Sequence, residues 1–287
     1  MAYVLASAGV TALLVVAGVI ILQVIILTTP GRNQDIGSLG DLPSQDITLT
    51  TADGLHLSGW YVPGSRPEAI ILVHGIHANR AYLLPQAFLL AQAGYPLLLL
   101  DLRGHGRSEG HEVTYGYREA LDVEAAVDYL AARPEIKHIG ALGHSLGGAA
   151  LVRAAATDPR LEALVIQSSF SSLTRVVDDS FNTFVLLPKW PFAPLVITLA
   201  ELKTGVSLDQ VDSARDLAAM PPRPFLFIHS ADDGLFPIHH AQQMYDAARN
   251  PKEFYFVSGL GHINPISGHE AEYSERVLKF FETAFAR

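Results

Sequence analysis

Short apolar runs alternate with longer amphipathic stretches along most of this chain. The runs AIILVHG, YPLLLLDLRG, HIGALGHS, LEALVIQSS, RPFLFIHS and KEFYFVSG each hold four to eight residues of strand-like character. Helical patterns separate them: around Ala81–Ala93, around Tyr117–Ala132, from Leu146, from Pro237, and as a closing amphipathic helix from His269. Strands that are apolar on both faces and separated by helices predict an α/β fold, with a mostly parallel sheet covered by helices on both sides. Upstream, ITLTT and LHLSGWYV alternate with a period of two around Ala52-Asp53-Gly54, which predicts an antiparallel hairpin at the start of the domain.

Two segments break the alternation. From Ala2 to Thr29 no residue is charged, and LLVVAGVIILQVIIL is almost wholly Leu, Ile and Val. About 27 helical residues would span ~40 Å, more than the ~30 Å hydrocarbon core, so residues 3–28 are expected to form a single-pass transmembrane anchor. A cleaved signal would start with a cation and carry a shorter apolar run. Arg32 is the nearest flanking cation, too little to fix the side on which the rest of the chain lies. Residues 29–46 (TPGRNQDIGSLGDLPSQ and the following Asp46) have the composition of a linker, so the catalytic domain is expected to run from 47 to 287 and to fold without the anchor. The second break is an insertion of about fifty residues between LEALVIQSS and RPFLFIHS. It is rich in apolar and aromatic side chains, and predicts a small helical cap at about 170–220, over the strand ends where ligands bind in such sheets. Val185–Leu199 within it is apolar but interrupted by Pro188, Pro191 and Pro194, too broken to span a bilayer.

Composition narrows the chemistry. The chain has 287 residues and no cysteine, which excludes disulfides, thiolate zinc sites, thiol nucleophiles and cysteine-borne lipid anchors. Its net charge is −9 and its Lys and Arg residues are scattered, a poor footprint for nucleic acid. The twelve histidines include the near pairs His74/His77, His105/His111 and His239/His240, but none has the carboxylate-supported spacing of a metalloenzyme helix, so no metal is expected. No Walker lysine is present.

Gly143-His144-Ser145-Leu146-Gly147 matches GxSxG between an apolar strand and a helical run. A serine on so sharp a turn is held with its hydroxyl exposed, and the flanking glycines allow the backbone to approach closely. A serine nucleophile needs a base and an orienting acid, expected in the order Ser, acid, His. Asp232 and Asp233 follow one strand and His262 follows the next, all on the rim that carries Ser145. The backbone N–H groups of Ile76, after the strand ending in His74-Gly75, and of Leu146 can hold an oxyanion. His74 itself is expected to brace its loop.

In this order HGIHAN, DLRGHGRSEG, GHSLGG, HSADDGLFP and GLGHIN resemble the α/β-hydrolase superfamily. Within it the chain is similar to the serine aminopeptidase-like and monoacylglycerol-lipase-like branch, which includes members with an N-terminal anchor and a short cap. The resemblance covers Ile47 to Arg287. It implies that Ser145, Asp233 and His262 form a triad with Ile76 and Leu146 as the oxyanion hole, and that no cofactor is required. The acid is Asp233, four positions before Pro237, as in the fold's Gly-x-x-Asp-x-x-Val-Pro pattern; Asp232 is left as a turn residue bonding its own backbone. DLRGHGRSEG is expected to shape the turn Asp101–Gly110. Ser230 stands where the family usually has Gly. The expected function is hydrolysis of carboxylic esters with an apolar acyl part, lipid-derived esters among them. Thioesterase, peptidase or amidase activity would use the same groups, and a non-catalytic binding protein on this fold is the rival from another class.

Overall fold

The computed structural model describes residues 2–40 and 42–286; within the first helix, the side chains at 2–6, 8, 9 and 12 lie outside the described residues. One eight-stranded sheet runs in the order β1-β2-β4-β3-β5-β6-β7-β8. The antiparallel edge is β1 (Gln45–Thr50) and β2 (His56–Val62), and β2 pairs antiparallel with β4 (Leu97–Leu100). From β4 onward the pairs with β3 (Glu68–Val73), β5 (His138–His144), β6 (Leu161–Gln167), β7 (Phe225–Ser230) and β8 (Lys252–Val257) are parallel. The four leucines of β4 are fully buried, as a strand covered on both faces requires.

Helices α2 (Leu84–Gln92) and α9 (Glu270–Phe285) cover one face of the sheet, and α3 (Glu119–Ala131), α4 (Leu146–Thr157) and α8 (His239–Ala247) the other. In α9 the buried Tyr273, Val277, Phe280 and Phe281 fall at helical spacing, so one apolar stripe faces the sheet. The insertion after β6 is helical, as expected: α5 (Leu173–Phe184), α6 (Lys189–Thr204) and α7 (Ser213–Ala219). Ser172 and Asp212 cap α5 and α7 by accepting from the N–H groups of Arg175 and Arg215. Because β3 lies between β4 and β5, chain order reverses there. The loops after β3 and β5 therefore open a crevice at the carboxyl ends of adjacent strands.

The N-terminal segment departs from expectation. Helix α1 (Ala2–Thr28) forms, but among the described residues no single helix is long and apolar enough to cross a membrane, and the apolar stretch qualifies only over Leu13–Thr28. The expected transmembrane anchor at 3–28 is thus not supported by the described residues, and its side chains at 3–6, 8, 9 and 12 lie outside them. Instead Ile20, Gln23, Val24 and Thr28 are buried, and Ile20 and Val24 join Phe181, Val185, Ala193 and Val196 of the cap in one apolar cluster. Burying each such aliphatic side chain stabilises the docked helix by about 1.5–3 kcal/mol. The expected linker at 29–46 gives its last two residues, Gln45 and Asp46, to β1, and its other described residues form no helix or strand yet are laid on the body of the fold. Ile36 and Leu39 are buried in the core, Asn79 Nδ2 donates to the carbonyls of Asn33 and Asp35, and Arg32 donates to those of Ser108 and Gly110.

The turn at Asp101–Gly110 is built as its glycines suggest. Gly106 has φ 48°, and a Cβ there would lie 2.1 Å from Asp101 Oδ2. That carboxylate, fully buried, accepts from the Arg80 guanidinium at 2.9 Å and from the backbone of Arg80 and Arg107.

Candidate active site

Ser145 sits between β5 and α4 with φ 53° and ψ −116°, a left-handed backbone that a residue with a side chain adopts only under strain. The flanking glycines are obligatory. A Cβ at Gly143 would lie 2.6 Å from Gly147 O, and one at Gly147 2.3 Å from Val73 O, so the elbow is wedged against both its own helix and β3. Ser145 N–H donates to Gln167 O and Ser169 Oγ donates to Ser145 O, both at 2.9 Å, which hold the strained turn.

The structure brings all three predicted side chains together. Ser145 Oγ lies 3.1 Å from His262 Nε2, and His262 Nδ1 lies 2.7 Å from Asp233 Oδ2. Asp233 has no exposed side-chain surface, and its Oδ1 accepts from the backbone N–H groups of Leu235 and Phe236 at 2.9 and 2.8 Å. Burial by itself would raise the Asp233 carboxyl. The hydrogen bond and charge of His262, with the Phe236 N–H and His229, outweigh it and hold the group below its ordinary value. Because β3 and β5 are paired neighbours, the loop carrying Ile76 abuts the start of α4, and Ile76, Leu146 and Ser145 line one cavity. Leu146 is the first residue of α4, where a backbone N–H has no intrahelical acceptor.

Asp232 does more than its expected local turn. Its exposed carboxylate accepts from Ser230 Oγ at 2.7 Å and, across the chain, from Gly259 N at 2.9 Å and Gly261 N at 3.4 Å. It thereby ties down the loop that carries His262. Ser230, the departure from the family pattern, supplies one of the donors to this brace.

Several contributors were not legible in the sequence. His229, fully buried on β7, donates from Nε2 to Phe236 O at 2.7 Å and lies 3.6 Å from Asp233 Oδ2, shaping the acid's turn from behind. The Phe236 ring stands edge-on to His262 with centroids 4.9 Å apart. Only its place three residues after Asp233 could have marked it. His74 braces as expected: its Nδ1 donates to Gly75 O at 2.7 Å and its Nε2 accepts from Leu102 N at 3.1 Å, joining the loops after β3 and β4.

Of the near histidine pairs, His105 donates to Arg103 O and His77 accepts from Gly31 N–H, so both serve the fold. His239 and His240 converge instead on Asp179 of α5, with Nε2 atoms 2.6 and 3.5 Å from its Oδ2. Among the described residues this is the one trio of donors close enough to hold a metal ion.

Burial keeps three imidazoles neutral. Burial, then the neighbouring His105, holds His74 at about 3; burial, then His262, holds His144 at about 3; burial, then His239, holds His240 at about 4. Each lies below the ordinary histidine value of 6.5, so between about pH 6.5 and 4 the unfolded chain takes up protons that the folded chain refuses. Stability is then complete above about pH 6.5 and falls as pH drops, by about 1.4 kcal/mol per unit for each group. The urea midpoint is expected to be markedly lower at pH 5 than at pH 7. Equal midpoints would show that these histidines protonate in the folded state.

A cavity of about 340 Å³ opens above Ser145, roofed by the cap and lined almost wholly by apolar side chains such as Phe170, Val176, Phe181, Val196 and Phe236. That is the size of a small-molecule site.

Known proteins are similar to this chain in sequence and in fold. The model of the family "Serine aminopeptidase, S33" matches residues 64–211, just over half of the chain. Asp233 and His262 lie beyond that segment, so their placement rests on the geometry above. The uncharacterized protein Rv2307c of Mycobacterium tuberculosis is 30% identical over 241 residues, covering 79% of this chain and 78% of its own length. The uncharacterized protein YfhR of Salmonella typhi is 29% identical, covering 85% and 83%. Among solved structures, the Pyrococcus furiosus esterase Pf2001 is similar with a TM-score of 0.76 at 25% identity, over 90% of this chain and 98% of that one. Sheet order, strained serine elbow and family match agree, and the chain belongs to the serine aminopeptidase S33 family of α/β-hydrolases.

Proposed function

We propose that this hydrolase cleaves carboxylic esters of apolar acids through an acyl-enzyme on Ser145. The observation that carries the reading is the continuous relay from Asp233 through His262 to Ser145, at 2.7 and 3.1 Å, on the floor of an apolar cavity. Ser145 Oγ attacks the ester carbonyl carbon while its proton passes to His262 Nε2, and the carbonyl oxygen takes up the charge against the N–H groups of Ile76 and Leu146. Collapse breaks the bond to the alcohol, which leaves with the proton from His262; water, activated by the same imidazole, then releases the acid. Asp233 holds the imidazole in the Nδ1–H form and stabilises the imidazolium.

The family's name raises peptide hydrolysis as an alternative. An aminopeptidase must hold a free α-amino group, and the acidic residue among the described cavity-lining residues besides the relay is Glu201. Its carboxylate already accepts the Leu208 N–H at 2.7 Å. A lining that is apolar but for this one partly engaged carboxylate favours an acyl chain, and the esterase name of the Pyrococcus furiosus neighbour supports the same reading.

A fluorophosphonate probe is expected to label the wild-type protein and spare Ser145→Ala, and p-nitrophenyl octanoate is expected to turn over faster than leucine p-nitroanilide. No labelling would reduce the chain to a binding protein on this fold. Faster anilide cleavage would make it a peptidase.

A further inference from the structure

Resting on the esterase reading, we propose that the N-terminal helix α1 is a wall of the acyl pocket and sets which aliphatic acyl groups the enzyme accepts. Ile26, Leu27 and Thr28 line the same cavity as Ser145, together with Val196, Ile197 and Ala200 of α6. The cavity joins two apolar clusters. Phe170, Val176 and Phe236 belong to the one beside the serine elbow, whereas Val196 packs with Ile20 and Val24 of α1 in the other. A short acyl group occupies the first; a longer linear chain reaches the second.

The end of α1 is held as part of the domain. The last carbonyls of a helix have no intrahelical donor, and here the protein supplies them. Tyr115 Oη donates to Leu27 O at 2.7 Å, and Val113 N–H donates to Thr28 O at 3.0 Å. Lys203 at the end of α6 donates to Thr28 Oγ1 at 2.6 Å, and Leu186 N–H in the α5–α6 junction donates to Gln23 Oε1 at 3.2 Å, so the cap grips α1 on both sides of α6. Tyr115 itself has φ 54°, a strained backbone for a residue with a side chain, and Gly116 beside it packs on Ala149 of α4. One segment thus touches both α1 and the helix that starts at Leu146. Strain of this kind marks a position that the surrounding structure over-determines, here a clamp between the pocket wall and the elbow helix.

The lining determines the ligand class. Among the described lining residues of α1 and α6 the charged side chain is Glu201, whose Oε1 accepts the Leu208 N–H at 2.7 Å; the others are aliphatic apart from the hydroxyls of Thr28 and Thr204, so a linear aliphatic chain is the occupant this wall fits best.

The test uses the full-length protein and p-nitrophenyl acetate, butyrate, octanoate and laurate. Leu27→Trp on α1 and Ala200→Phe on α6 are each expected to lower the octanoate-to-acetate ratio of kcat/KM by about tenfold or more, the effect of a methylene or two in an apolar pocket. Tyr115→Phe, which removes the bond to Leu27 O, is expected to lower it by about threefold, mainly through KM. Leu22→Trp, on the exposed side of the same helix, is expected to leave the ratio where it was. If Ala200→Phe shifts the ratio and Leu27→Trp does not, α1 is no wall and the inference fails while the esterase reading stands. An equal effect of Leu22→Trp also overturns it, because the change would then act through the helix as a whole. Hydrolysis of none of the four esters by wild type overturns the reading of the site, and this inference with it.

Discussion

Ser145→Ala is expected to lower ester turnover by on the order of 10⁶-fold while leaving the fold intact. The hydroxyl is the one group the relay delivers to a substrate, and no cysteine anywhere in the chain can substitute for it. What remains is the contribution of the oxyanion donors and of binding. Stability should barely move. The side chain makes its one hydrogen bond with His262 at 3.1 Å, and alanine keeps the Cβ that strains the backbone at φ 53°. Ser145→Gly provides the internal control. Relief of strain is worth about 1–3 kcal/mol, against about 0.4–1 kcal/mol lost to the freer unfolded chain, so the glycine variant should melt higher than the alanine variant, with both inactive. Turnover near wild type in folded Ser145→Ala would remove the nucleophile from this position.

Asp233→Asn is expected to lower turnover by about 10⁴-fold, whereas Asp232→Asn should cost at most a few fold. The difference lies in what each carboxylate faces. The buried Asp233 accepts two backbone N–H groups at Oδ1 and the His262 Nδ1–H at Oδ2. An asparagine would keep its carbonyl on the two backbone donors and turn its NH₂ toward Nδ1. The imidazole would then carry its proton on Nε2, where it cannot accept from Ser145. Asp232 instead holds the His262 loop through Gly259 and Gly261, and an asparagine oxygen preserves the stronger of those contacts, at 2.9 Å. Asp232→Ala, which removes every acceptor, should loosen the loop and cost more than Asp232→Asn. Rates measured on folded protein decide the matter; a larger loss at Asp232 would move the acid there.

Much of this was readable along the chain, for a local reason. A parallel sheet covered on both faces demands apolar strands, so the runs from AIILV to KEFYF declared the architecture. The elbow was legible because close approach at a strand-to-helix turn needs glycine at Gly143 and Gly147, and sequence spacing to Pro237 singled out Asp233. These features depend on neighbours a few residues away. Some strand boundaries shifted, as with β1 beginning at Gln45 and β4 ending at Leu100, because hydrogen-bond pairing and not composition ends a strand.

Tertiary structure alone decided the rest. Ile76 and Leu146 were named from their motifs, but the pairing of β3 with β5, which brings these residues seventy positions apart to one cavity, is a register that no local pattern encodes. Asp232 reaches Gly259 and Gly261, and Tyr115 reaches Leu27, only because loops from different strands meet at one rim. The first helix is the clearest case. Its leucines, isoleucines and valines read the same whether they are to face lipid or protein, because both remove apolar surface from water and the helix is apolar on every side. Only the tertiary structure shows a partner surface on one side of it: the cap covers Ile20 and Val24 through Phe181, Val185, Ala193 and Val196, residues more than 150 positions downstream, while Leu13, Leu14, Ile21 and Leu22 on other sides stay exposed.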